Sequence, residues 1–176
     1  MRKLILLACS IVVVTAVAAA SAGAAVDPPG SLSVDQGRGL VMLELRGSVL
    51  GRLGNGTLRV TDLTPRDPFG EIVWGKNLST EERVGPRTVL YRGQGLRFRM
   101  LGGRYRIRVV GTGIALSAVG RGIVVLDGER RADEATGLYS LTEGVDCSIE
   151  PTQCTPLPEE PERFTLGPVE EAKPFS

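Results

Sequence analysis

Residues 96–109 carry the clearest hydrophobic/polar period in the chain. They run Leu96-Arg97-Phe98-Arg99-Met100-Leu101, then Gly102-Gly103, then Arg104-Tyr105-Arg106-Ile107-Arg108-Val109. Strict apolar/basic alternation marks a half-buried β-strand, because successive side chains leave a strand on opposite faces. Two such runs joined by Gly-Gly predict a β-hairpin with a two-residue turn, where glycine supplies positive φ. The register that follows sets Met100 against Tyr105, Phe98 against Ile107 and Leu96 against Val109 on an apolar side. On the other side it sets Arg99 against Arg106 and Arg97 against Arg108, with Arg104 beside them: an arginine ladder.

Shorter runs of the same kind fill the chain. Residues 40–45 are apolar on nearly both sides, as in a strand buried on both faces. Residues 48–53 and 57–62 flank Gly54-Asn55-Gly56, and Asn-Gly predicts a hairpin turn between them. Residues 71–74 form a strand with the only tryptophan, Trp74, expected in the core. Residues 76–86 are polar and read as a longer loop. Further strands are predicted at 87–91, 114–117, 123–126 and 137–141. No amphipathic helix of normal length is seen. The fold class is therefore all-β: a single antiparallel β-sandwich or barrel-like domain of about ten short strands.

The organisation follows from composition shifts. Residues 1–25 begin Met1-Arg2-Lys3, continue as an apolar run and end in small residues, which predicts a cleaved secretory signal peptide. Cys9 falls inside it. Residues 26–31, with Asp27-Pro28-Pro29-Gly30, read as a linker. The β-domain spans 32–142. Residues 143–176 form an acidic, Pro-rich tail, expected to be disordered from about Cys154 onward, with a Cys147–Cys154 disulfide stapling its start, as suits an exported chain. The stretches 47–62 and 111–127 both read glycine, short strand, Gly-x-Gly, apolar strand and Asp. That repetition suggests two related halves, although a glycine-rich β-chain produces such patterns by composition alone. No later stretch is long and apolar enough to span a membrane. The expected location is extracytoplasmic, in a bacterium, with an arginine bias fitting a GC-rich genome.

Charge adds a functional clue. There is no histidine, which removes Ser-His-Asp and Cys-His catalysis and the commonest zinc sites. The formal net charge is only +1, but it is unevenly spread. From Arg83 to Leu126 there are nine arginines and no acid, whereas twelve acids follow from Asp127 onward. Like charges opposite one another on a sheet oppose pairing by roughly 0.2–1 kcal/mol. The ladder therefore needs a partner: Glu44 or Glu71 on a neighbouring strand, screening by salt, an anionic ligand, or tail glutamates such as Glu159, Glu160, Glu162, Glu170 and Glu171. The plain alternative is a solvated outer face.

The candidate anion- or partner-binding residues are Arg97, Arg99, Arg104, Arg106 and Arg108. The partners expected are an anionic envelope polymer, lipid head groups or an acidic protein. Nucleic acid is not expected, because charge is near neutral and aromatics are few. The Gly-x-Gly sites precede strands rather than helices, so they are turn chemistry and not phosphate loops. Asp62 and Asp127 hold matching places and could pair as acid and base, but each ends a strand, where Asp favours a turn. No catalytic residue, metal or cofactor is assigned. The function expected is a secreted, non-enzymatic binding domain. A self-associating structural protein is the alternative, and a carboxylate-based hydrolase stands further off.

Overall fold

The computed structural model describes residues 29–64, 70–85, 87–129 and 135–168. The signal-peptide reading, Cys9, Glu170 and Glu171 lie outside them. The strands are β1 (Gly30–Asp62), β2 (Ile72–Trp74), β3 (Asn77–Gly85), β4 (Thr88–Met100), β5 (Arg104–Gly128), β6 (Leu138–Ser140), β7 (Thr155–Pro156) and β8 (Glu162–Leu166). All pair antiparallel in one sheet with the order β2-β4-β1-β5-β8; β3 also pairs with β4, and β6 with β1 and β7. The chain is thus all-β. The sheet is an open path rather than a closed ring. Among the described residues no helix is long and apolar enough to cross a membrane.

Two strands dominate. β1 has 33 residues and β5 has 25. A straight 33-residue strand would be roughly 110 Å long, so β1 must bend. It pairs with β5 in two registers: residues 30–46 lie against 120–104, and residues 39–62 lie against 128–105. Residues 104–120 of β5 consequently have β1 on both sides. The sheet folds on itself around Leu43, Leu45, Leu53, Leu58, Phe98, Tyr105, Ile107 and Ile114, all at most 1 % exposed.

The predicted turns lie inside these strands, with positive φ at Gly56, Gly111, Gly113 and Gly122. Gly54-Asn55-Gly56 lies inside β1, and Gly111-Thr112-Gly113 and Gly120-Arg121-Gly122 lie inside β5. What was read as several short strands is two long ones creased at glycine. Gly93, Gly56, Gly111, Gly39 and Gly128 face one another in register across adjacent segments. The reason is clearest at Gly56. Its φ is +148°, and a Cβ there would lie 2.0 Å from the Val110 carbonyl oxygen. Gly111 opposite has the mirror constraint, 2.1 Å from the Asn55 carbonyl oxygen. The backbones approach too closely for any side chain.

The hairpin expectation is corrected. β4 and β5 are not partners, because residues 49–61 of β1 lie between them. The Gly102-Gly103 corner exists, with φ of +69° and +75°, but carries the chain past β1 rather than back along β4. The division into inner and outer faces does hold: Leu96, Phe98, Met100, Tyr105, Ile107 and Val109 are buried, and Arg97, Arg99, Arg104, Arg106 and Arg108 are exposed.

The expectation of disorder from about Cys154 onward is also corrected, for residues 154–168. β8 pairs with 122–126 of β5. Leu157 and Leu166 are buried in the core, and Phe164 packs on Tyr139 with ring centroids 5.4 Å apart. Cys147 and Cys154 form a disulfide, and the Cys147 N–H donates to Ser33 Oγ at 3.0 Å. The bridge closes a small ring, with a sequence separation of 7. The Cys147→Ser/Cys154→Ser variant is expected to lose about 2–3 kcal/mol in the chain-entropy account, read as a lower urea midpoint.

Candidate ligand trough on the outer sheet face

The insertion of β1 divides the arginine ladder. Arg104 and Arg106 flank Glu44 on β1. Arg104 Nη2 donates to Glu44 Oε1 at 2.8 Å, while Arg106 donates to Oε2 through Nη2 at 2.7 Å and Nε at 3.0 Å. Glu44 is one of the two compensating acids read from the sequence. Glu71 precedes β2 and makes no ion pair among the described residues. The Arg106 hydrogen bond does most to hold the Glu44 carboxyl below its usual range; partial burial opposes it and Arg104 adds to it.

A depressed carboxyl pKa gives stability that is complete above the unfolded value and lost as pH falls through the folded one. Glu44→Gln should therefore remove part of the stability gained between acid and neutral pH. For so exposed a triad the change is about 1 kcal/mol or less, measured by urea denaturation at acid and neutral pH.

Arg97 and Arg99 lie elsewhere. Arg97 stands opposite Arg52, and Arg52 opposite Ala115, nine positions beyond Arg106 along β5. Following that row across the sheet gives Trp74, Arg97, Arg52 and Ala115. The next row gives Ile72, Arg99, Leu50 and Ser117. Arg108 faces Met42 and Arg59 and belongs to neither row.

Trp74 is 46 % exposed, which overturns the core expectation. β2 has three residues on the edge of the sheet. Val73 takes the inward position against the core, leaving Ile72 and Trp74 outside. The sequence signal for this was present: in a strand that short, either parity can face inward.

Trp74 walls a trough. Two adjoining cavities of about 770 and 500 Å³ share Asp35, Arg52, Trp74, Arg97 and Ala115. Lys76 and Gln36 line the larger; Leu50, Asp146 and Ser148 line the smaller. The two sides differ in charge. Trp74, Lys76 and Arg97 come from the β2–β4 side. Asp35, from the first turn of sheet in β1, and Asp146, beside the disulfide, come from the other.

Arg52 Nη2 lies 3.7 Å from Asp35 Oδ1, an ion pair too long for a hydrogen bond; Oδ1 is buried without a hydrogen-bond partner. Asp146 accepts from the Ser148 N–H at 2.9 Å and from its hydroxyl at 2.7 Å, which holds its carboxyl low. Among the described residues no hydrogen bond or ion pair engages the side chain of Arg97 or Lys76. Leu50, Ile72, Leu101 and Val119 are exposed on the same face.

The acid–base pair considered from the sequence does not assemble. Asp62 Oδ1 accepts from the Thr64 N–H at 2.7 Å and closes a turn. Asp127 faces Leu40, whose row leads through Val110 to Thr57, five positions from Asp62. Among the described residues no group of three or more Cys, Asp or Glu is placed to hold a metal ion. No protein-family model, curated protein or solved structure is significantly similar to this chain.

Proposed function

We propose that this chain is an extracytoplasmic, non-enzymatic binding domain whose outer sheet face holds an anionic ligand. Arg97 and Arg52, with Lys76 beside them, are the anion-binding groups. The observation that carries the reading is a concave site whose cations Arg97 and Lys76 have no partner among the described residues. Arginine offers a planar fork of donors to a carboxylate or phosphate. Concavity favours a polymer segment over a membrane surface, since a planar bilayer meets protruding side chains rather than recessed ones. The disulfide fits an oxidising compartment. The folding of β1 and β5 on each other in two registers supports a sandwich-like, incompletely closed barrel as the finer description of the fold.

Arg104 and Arg106 are assigned to a structural triad with Glu44 instead. Binding of fluorescent polyglutamate, followed while salt is raised, tests the proposal. Binding should weaken with salt, since exposed charges are screened over about 10 Å at 0.1 M. It should also survive Arg106→Glu. Salt-independent binding, or no binding of any carboxylate polymer, removes the reading.

The exposed apolar residues Leu50, Ile72, Trp74, Leu101 and Val119 favour a second reading, self-association through the same face. Sedimentation across protein concentrations separates the two, because self-association through this face would compete with the anion.

A further inference from the structure

The acids in the trough make it a weaker site for a simple polyanion than its cations alone would give. Its cations stand on one side, while Asp35 and Asp146 stand on the other. A chain of closely spaced negative charges would meet both acids. The floor offers no main-chain recognition either. β4, β1 and β5 are each paired on both sides here, so their N–H and C=O groups are used within the sheet. An extended peptide that binds by strand addition needs an open edge, and the floor is a face. Recognition has to come from side chains: a flat aromatic surface, cations on one flank and carboxylate acceptors on the other.

We infer that the ligand is a linear acidic saccharide in which carboxylate-bearing pyranose rings alternate with neutral ones. This deepens the anion-binding reading and rests on it. The half-exposed indole of Trp74 provides an apolar plane for a ring face. Arg97 is its direct cross-strand neighbour, so a carboxylate on a stacked ring comes within reach of the guanidinium. The hydroxyls on the opposite flank are donors, which suits the acidic wall where a second anion would be repelled. From Leu50 to Gly54 the floor runs about 13 Å along the strand, which fits a short oligomer rather than a single ring.

Trp74 is the only tryptophan in the chain. Its fluorescence therefore reports this site alone. The experiment titrates the intact protein with a hyaluronan tetrasaccharide, in which uronate and neutral rings alternate, and with tetragalacturonate, charged on every ring. Polyglutamate is the anion without rings, and cellotetraose the ring polymer without charge. The expected result is a saturable shift of Trp74 emission with the hyaluronan tetrasaccharide. That tetrasaccharide should bind at least tenfold more tightly than cellotetraose. Measured by calorimetry, since the variant has lost the reporter, Trp74→Ala should lower its affinity about tenfold, and polyglutamate affinity no more than two- to threefold. Trp74→Phe, followed by calorimetry, should recover part of the loss, which a merely unfolded variant would not.

If the hyaluronan tetrasaccharide fails to bind while tetragalacturonate or polyglutamate does, or if Trp74→Ala weakens hyaluronan and polyglutamate binding equally, the saccharide inference is overturned and the anion reading stands. If neither uronates nor polyglutamate bind, both are overturned.

Discussion

Gly56→Ala is expected to cost about 3–5 kcal/mol, a large share of the 5–15 kcal/mol that holds a typical domain together. Two penalties act at once. The backbone sits at φ +148°, which residues with a Cβ rarely adopt. The added Cβ would lie 2.0 Å from the Val110 carbonyl oxygen and 2.8 Å from the Gly111 Cα. Both obstacles are backbone, so no rotamer change relieves them. The strands would have to part where β1 and β5 crease. Other glycines separate the contributions. Gly95 has φ +62° but open space around its missing Cβ, so Gly95→Ala should cost only about 1 kcal/mol, from conformation alone. Gly70 has neither constraint, and Gly70→Ala should be neutral within about 0.5 kcal/mol. Urea denaturation of the three variants checks the order. A Gly56→Ala protein as stable as Gly95→Ala would mean that the crease tolerates a side chain.

That order also explains what could be read from the sequence. Inside and outside were legible because side-chain alternation is local: Phe98 must face away from Arg97 whatever lies next to the strand. Partners were not legible, because pairing is non-local. Nothing within 96–109 indicates that 49–61 of β1 enters between its two arms. Asn55-Gly56 was misread for a related reason. The positive φ that a hairpin turn demands is also what a creased strand demands, and the local residues are the same in both. Glu44 could be found because an acid in an otherwise apolar run needs a cation, and only the arginine strands offered several. In the tail, Leu157, Phe164 and Leu166 each bury against β-sheet contributed by distant segments, so a low local density of apolar residues concealed real packing.

The trough was the least legible part, because Asp35, Arg52, Trp74 and Arg97 come from different strands or distant stretches of one strand. None belongs to a motif. Their neighbourhood is a product of two registers between β1 and β5, which bring Asp35 and Arg52, two positions on the same strand, to opposite sides of Ala115. The crease and the site are therefore coupled: a fold that lost the second register would separate the acidic wall from the cationic one.

Arg97→Glu is expected to weaken binding of an anionic polymer by about ten- to a hundredfold at low salt, equivalent to about 1.4–2.7 kcal/mol. A single exposed ion contact is worth only about 0.2–1 kcal/mol, so deletion alone would not reach this. Reversal acts twice. It replaces an attracting group by a repelling one, and it sets a new carboxylate directly opposite Arg52. Arg52 already lies 3.7 Å from Asp35 Oδ1, and a second acid would occupy what remains of its charge. Arg97→Gln removes one cation and leaves Arg52 as it was, so it should cost only about three- to fivefold. Both variants should fold normally, because the Arg97 side chain is exposed and its backbone pairing is unaltered. The salt dependence should flatten in the same order, since fewer charges remain to be screened. Arg106→Glu is the contrast: it disrupts the Glu44 triad, nine positions away along β5, and should change stability rather than affinity. Equal loss of affinity in Arg97→Glu and Arg106→Glu would return the anion to a single continuous arginine face, against the register that separates them.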